Sequence, residues 1–506
     1  MAWPRADRPA YRVGDRRLPH VPYADPSAAD PSLVILHMPD LVLRDVVVDG
    51  MLVDVRASGG LITEIGRRIE ARPRDIALDG HRGALMPGLH DHHIHLLALA
   101  AAERSPLVGP PYVADAETFT ATLTQAHAGL GDGEWIRAIG YHESVAGPID
   151  RWRLDAVVAE RPVRVQHRSG GAWVLNSVGL AAAGIHEDTE RPGLERDDDG
   201  RLTGRLLGLD RWLRDRLPPP VAPDLGVVGQ RLASYGVTGV TDLTPVSGLD
   251  DLAPVADAVA DGSLPQRVTV TGGPRLTAAE MPAHLGTGPV KLVVADYSLP
   301  GLDDLVRWIV AAHEIGRPVA VHCVTRAGLA LALAAWDDAG SRPGDRIEHG
   351  SVVPPELRAL VAAKGLTVVT QPGFVHERGD RYLVEVDADD LPHLYPCRSL
   401  IEAGIAVGGS TDAPFGHPDP WRDIAAAIDR RTSGGEPLGL REAVSPERAL
   451  ALFLTPSDAP GGQPRRVEVG APADVVLLDG PLSQALEDPS SRRVRATVIG
   501  GALAYG

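Results

Sequence analysis

A chain of 506 residues, 44% hydrophobic and 23% charged, has the composition of a folded soluble protein, too long for one core of ordinary size but within reach of a barrel with insertions. Its net charge of -17 excludes the basic surface that nucleic-acid binding needs, and no apolar run is long enough to cross a membrane. The two cysteines, Cys323 and Cys397, make neither a disulfide framework nor a Cys-x-x-Cys metal motif, so a metal would have to be held by nitrogen and oxygen.

In chain order, residues 1–33 are rich in Pro, Arg, Asp and Ala without periodicity and read as an N-terminal arm. The start has no apolar core of the secretory kind, so a cytoplasmic location is the expectation. Short β-type runs follow at Leu41-Val42-Leu43, Val46-Val47-Val48 and Met51 to Val55. Runs of the same character recur near the other end, at Val467-Glu468-Val469, Asp474 to Leu478 and Val494 to Ile499. The expectation is one small β-sandwich built from residues 34–86 and 458–506.

The run Pro87-Gly88-Leu89-His90-Asp91-His92-His93-Ile94-His95 ends the next strand. Alternation along a strand puts His93 and His95 on one face, where they can grip one ion. His90 and His92 fall on the other face and fit hydrogen-bonding roles better. A histidine-rich polar turn is the plainer alternative, but the apolar runs on both sides make four buried imidazoles costly unless liganded or hydrogen-bonded.

Beyond residue 230, strand-like runs alternate with helical patterns: Val237–Asp242, Arg267–Thr271, Val290–Val294, Val319–His322, Arg346–His349, Leu366–Thr370 and Ile405–Gly409. With the strand before His93 these make eight, the number of a (β/α)8 TIM-like barrel over 87–457. Residues from about 103 to 230 interrupt the alternation. Leaving from the loop that carries His95, they are expected to lie over the mouth as a lid.

Polar residues recur where later strands end: Lys291 on the fourth, His322 and His349 ending the fifth and sixth, and Asp412 after the eighth. Singly, each has a structural explanation, as a snorkelling lysine, hydrogen-bonded core histidines or a helix cap. As an ordered set on five of eight strands they fit a metal centre.

On these residues the chain resembles the metal-dependent amidohydrolase superfamily, in particular its long branch of N-substituted formamide deformylase-like hydrolases. The resemblance runs from about residue 34 to the C-terminus. It includes Val290-Lys291-Leu292, Glu348-His349-Gly350, Ser410 to Pro414, Gly470 to Leu477, Trp135 to Gly140 and Ser169 to Ser177. It implies one or two divalent ions, usually zinc: His93, His95 and Asp412 on one, His322 and His349 on the other, and Lys291 bridging as a carbamate or remaining an unmodified structural lysine.

The same resemblance implies attack by a metal-bound hydroxide on an amide-type C–N bond (N-formyl, N-acyl or cyclic), with Asp412 as general base. Deamination of an amino-substituted heterocycle is the alternative, and a non-catalytic scaffold a third. Single-metal deaminases of the superfamily carry a glutamate where this chain has Thr325, which favours the hydrolase. The insertion departs from the pattern at Ser169-Gly170-Gly171 and at Gly208, so formamide specificity does not carry over. His142, His167, Trp173 and His376 are the candidate substrate contacts. A small-molecule substrate, a dimeric assembly and no nucleotide cofactor complete the expectations.

Overall fold

The computed structural model describes residues 40–110, 112–131, 133–218, 224–244, 248–273, 276, 281–282, 284–294 and 299–506. The expected arm over 1–33 lies outside them. Eight strands form one all-parallel sheet: β1 (Leu89–Ile94), β2 (Val237–Asp242), β3 (Arg267–Gly272), β4 (Gly286–Val293), β5 (Val319–Cys323), β6 (Arg346–His349), β7 (Thr367–Thr370) and β8 (Val407–Gly409). Neighbours in space are neighbours in sequence from β1 to β8. Every residue of β1, β2, β6 and β8 is buried, as expected of strands covered on both faces.

The sheet closes almost completely. Just beyond β8, Asp412 N donates to His93 O at 2.8 Å and His95 N donates to Ala413 O at 2.9 Å, tying the last strand's exit to the first strand's end. Asp91 adds to this seam by accepting from Thr411 N at 3.1 Å and from Thr411 Oγ1 at 2.5 Å. Helices return the chain between strands. In Leu302–Glu314 the buried Leu305, Ile309 and Ala312 recur at helical spacing on the face that packs inward.

Two four-stranded sheets come from the ends of the described chain. One contains Leu41–Val48, Met51–Ser58, Leu61–Gly66 and Ile76–Asp79; the other contains Leu85–Pro87, Val475–Leu478, Val494–Ile499 and Ala502–Tyr505. They contribute to one apolar cluster that joins Leu43, Val55 and Ile62 to Val475, Leu477 and Val498. Val467-Glu468-Val469 is not a strand. Only Val467 is buried there, and the chain turns at Gly470, whose φ of 92° breaks an extended run.

Between β1 and β2 the chain builds a separate five-stranded sheet from Ile136–Tyr141, Val163–His167, Ala172–Leu175, Leu194–Arg196 and Leu202–Leu207. The expected helix over 118–126 lies within Ala116–Ala128, capped by Asp115, which accepts from Thr118 N.

Candidate metal centre

The C-terminal ends of the barrel strands bring His93, His95 and Asp412 together: their ligand atoms all lie within 4.8 Å of one another. Asp412 Oδ1 is 3.4 Å from His93 Nε2 and 3.3 Å from His95 Nε2. His349 joins them, its ring centroid 4.8 Å from that of His93, and His322 lies 4.5 Å beyond it. Lys291, 8% exposed on β4, pairs in register with Ala320 of β5.

His93, His95 and His349 each have a partner at Nδ1. Glu348 Oε2 lies 2.6 Å from His93 Nδ1, so that nitrogen carries the proton and leaves the Nε2 lone pair directed at Asp412. Glu348 is itself fixed by Arg346, whose Nε is 2.6 Å from Oε1. Gln371 Oε1 accepts from His349 Nδ1 at 2.9 Å, while Gln371 Nε2 donates to Ser410 Oγ, which sets the amide's orientation. His95 Nδ1 is 3.3 Å from Thr244 Oγ1. His90 and His92 meet Thr241 Oγ1 at 2.9 Å and Thr455 Oγ1 at 2.8 Å, on the strand face opposite the cluster.

His93 Nε2 and Asp412 Oδ1 are buried without a hydrogen-bond partner among the described residues, a costly state for an acceptor nitrogen beside a carboxylate oxygen. A cation between them resolves it, so these residues fit a metal ion. Burial holds the His93 and His349 imidazoles well below the ordinary histidine range and His322 down to about 3, keeping all three in the neutral, ligating form. Burial also lowers the Lys291 amine, toward the nucleophilic free base that carbamate formation requires. Both His349 and Asp412 have left-handed backbone, with φ of 70° and 55°, a conformation non-glycine residues adopt rarely and at functional sites disproportionately.

The insertion supplies a second group, His142, Glu143 and His167, whose ligand atoms also lie within 4.8 Å of one another. A metal does not suit it. His142 Nδ1 accepts from Ser144 N at 2.9 Å and His167 Nδ1 from Ser169 N at 3.1 Å, so the neutral rings carry their protons on Nε2, the atoms that face Glu143. His167 Nε2 donates to Glu143 Oε2 at 3.1 Å.

The turn after His167 reaches the centre itself. A Cβ on Gly170 would lie 2.6 Å from the Phe415 ring, whose centroid is 5.5 Å from that of His95, so only glycine allows this approach at a φ of +75°. Trp173 is 5% exposed inside the insertion, its Nε1 donating to Asp210 Oδ1 at 2.6 Å, with the guanidinium groups of Arg137 and Arg164 5.5 and 5.0 Å from its ring. His376 is exposed, with Nδ1 3.3 Å from the Arg431 carbonyl.

Glu348 and Gln371 were not singled out by sequence. The signal for Glu348 was present, since Arg346 and Glu348 are opposite charges on one face of a buried strand. Gln371 had none, being an ordinary amide in a loop.

The profile of the amidohydrolase family matches residues 77–505. The N-substituted formamide deformylase of Arthrobacter pascens is 25% identical over 514 residues, covering 89% of this chain and 94% of that protein. Two crystal structures of uncharacterised metal-dependent hydrolases have the same fold. That from Pyrococcus horikoshii has a TM-score of 0.68 at 20% identity, covering 87% of this chain and 97% of its own. That from Pyrococcus furiosus has a TM-score of 0.65 at 21% identity, covering 87% and 99%. A barrel whose strand ends gather histidines around an unpartnered carboxylate, matched by one family over most of its length, makes this chain a hydrolase of the amidohydrolase family.

Proposed function

We propose that the protein is a metal-dependent hydrolase that cleaves an amide-type C–N bond, N-formyl, N-acyl or cyclic, in a small molecule. The observation that carries this reading is the buried, partnerless pair His93 Nε2 and Asp412 Oδ1, 3.4 Å apart at the barrel mouth. His93, His95 and Asp412 would hold one divalent ion, with zinc the best match to this nitrogen and oxygen set. His322 and His349 would hold a second, bridged to the first by Lys291 as a carbamate. The ions would polarise the substrate carbonyl and acidify a water.

The chain's own residues do the rest. Glu348 and Gln371 hold the His93 and His349 rings with Nε2 unprotonated. Asp412 takes the proton of the attacking water and delivers it to the departing nitrogen. Thr325 is the N-cap of helix Arg326–Ala339, accepting from Gly328 N at 3.1 Å, so the position that serves deaminases as an acid is a helix cap here. The contact of Gly170 with Phe415 supports the insertion, about 103–230, as a lid on the barrel of 87–457. The terminal sheets, over 34–86 and 458–506, form a small β-sandwich on this reading, supported by their shared apolar cluster.

The test is metal analysis of purified protein together with an assay of the metal-loaded enzyme on N-formyl, N-acyl and cyclic amides. One or two equivalents of transition metal and release of amine are expected. Protein that retains no tightly bound metal after loading, or that leaves every amide intact, would overturn the proposal.

A further inference from the structure

Among His93, His95 and His349, His95 is the least firmly held by its side chain. His93 Nδ1 has Glu348 at 2.6 Å and His349 Nδ1 has Gln371 at 2.9 Å, whereas His95 Nδ1 has Thr244 at 3.3 Å, outside the range of a good hydrogen bond. Its side chain is also the most open of the three, 15% exposed against 1% and 6%. The place of this ring therefore depends on its backbone. The His95 N–H donates to Ala413 O at 2.9 Å, and its carbonyl accepts from Leu99 N at 2.8 Å as the first bond of helix Leu96–Ala102.

That helix lacks the usual end fastenings. It has only two turns, no side-chain cap at its start, no acidic residue in its first turn and no basic residue in its last. The missing cation comes from the insertion. Arg137, on strand Ile136–Tyr141, donates from Nη1 to Ala101 O at 3.2 Å, in the helix's last turn, and to Ser105 Oγ at 2.5 Å. Ser105 Oγ in turn donates to Ala101 O at 2.6 Å. A guanidinium there satisfies a carbonyl the helix leaves open and complements the negative end of its dipole. Arg137 is itself propped in place: the Trp173 ring lies 5.5 Å from its guanidinium, and Trp173 is fastened to Asp210.

We propose that Arg137 is a positioning residue for His95. By clasping the far end of the helix that begins at His95, it fixes that residue's backbone and with it the direction in which the imidazole approaches an ion. The insertion then supports one of the ligands as well as lying over the mouth. This inference rests on the reading of His95 as a metal ligand. Arg161 provides the contrast within the same insertion: it donates to the carbonyls of Gly131, Glu134 and Leu130 and makes no bond to the helix.

The experiment titrates cobalt(II) into full-length protein against a chelator, for the wild type, Arg137→Met, Ser105→Ala and Arg161→Met, and records the visible spectrum of the bound ion, which reports ligand geometry. Arg137→Met is expected to weaken cobalt binding about fivefold or more and to shift the spectrum, and Ser105→Ala to move both the same way by less. In the metal-free protein, hydrogen exchange at the Leu99 and Ala100 amides should quicken in both variants. Arg161→Met is expected to lower the melting temperature while leaving cobalt affinity within about twofold of the wild type, because it loosens the insertion without touching the helix. Loss of cobalt by Arg161→Met to the same extent as by Arg137→Met would assign the effect to general loosening and overturn the proposal. Affinity, spectrum and exchange unchanged in both Arg137→Met and Ser105→Ala overturn it as well, and leave the hydrolase reading standing. A wild type that takes up no cobalt overturns the hydrolase reading and this inference together.

Discussion

Glu348 grips His93 through a fully buried 2.6 Å contact from Oε2 to Nδ1. Because its other oxygen is committed to Arg346, the carboxylate cannot turn away, and the imidazole is held in one tautomer. Glu348→Gln is expected to weaken metal affinity about 10- to 100-fold, read by competition with a chelator. It also leaves Arg346 buried without its ion pair, so the melting temperature should fall as well. Unchanged affinity would mean that His93 is not a ligand.

Asp412 has a φ of 55°, which asparagine tolerates and alanine does not. Asp412→Asn should therefore keep the fold while lowering kcat by about 100-fold or more, whereas Asp412→Ala should lose stability in addition. Far-ultraviolet circular dichroism, melting curves and turnover on any cleaved amide separate the two. Full activity in the asparagine variant would remove Asp412 as the base.

Gly170→Ala places a methyl group where the Phe415 ring now sits, at a φ of +75° that disfavours any side chain. The turn or the ring must give way. A drop of about tenfold or more in kcat/KM is expected, with metal content unchanged, because the ligands themselves are untouched. Loss of metal together with activity would show instead that the turn supports the ligands.

Cys397 is wholly buried and its thiol is pushed up to about 12 by burial; Cys323 is 1% exposed. Neither offers a thiolate to solvent at neutral pH. Ellman's reagent at pH 8 should find no thiol in the native protein and both after denaturation. A rapid native reaction would show that the barrel core opens locally.

His417 is held down to about 4, chiefly by burial, and its Nδ1 accepts from Asp419 N at 3.2 Å. The folded state prefers the neutral ring, so this contribution is complete above the ordinary value of 6.5 and is lost as pH falls from there toward 4. Asparagine can make the same short-range bond without titrating. Denaturant unfolding at pH 7, 5.5 and 4 should find His417→Asn gaining on the wild type by about 2 kcal/mol at the lowest pH. A constant difference across the three would refute the assignment.

The eight barrel strands were legible because β-branched runs buried on both faces are bounded by Gly and Pro, and the structure has a strand at every one of them. Val467 to Val469 misled because composition alone cannot distinguish a strand from three residues entering a turn. The strand-end positions named from sequence include His93, His95 and Asp412, whose ligand atoms the structure gathers within 4.8 Å of one another, with the His349 and His322 rings alongside. Gln371 was not named, since an amide in a loop carries no sign in the sequence of the His349 ring it holds. Nothing in the sequence showed that the Trp173 ring would meet the guanidinium groups of Arg137 and Arg164, which come from two other strands of the insertion.

Asp91 and Thr411, which fasten the barrel seam, are 320 residues apart in the chain. A ribosome that has delivered His93 and His95 has therefore delivered two nitrogens and no Asp412 to oppose them. The strand that shuts the cylinder also brings the missing carboxylate, so on the proposed reading an ion is held only once the barrel has closed. On that reading a chain cut short before Asp412 lacks both the seam and the full ligand set, and so gains nothing from an ion that stabilises the finished fold.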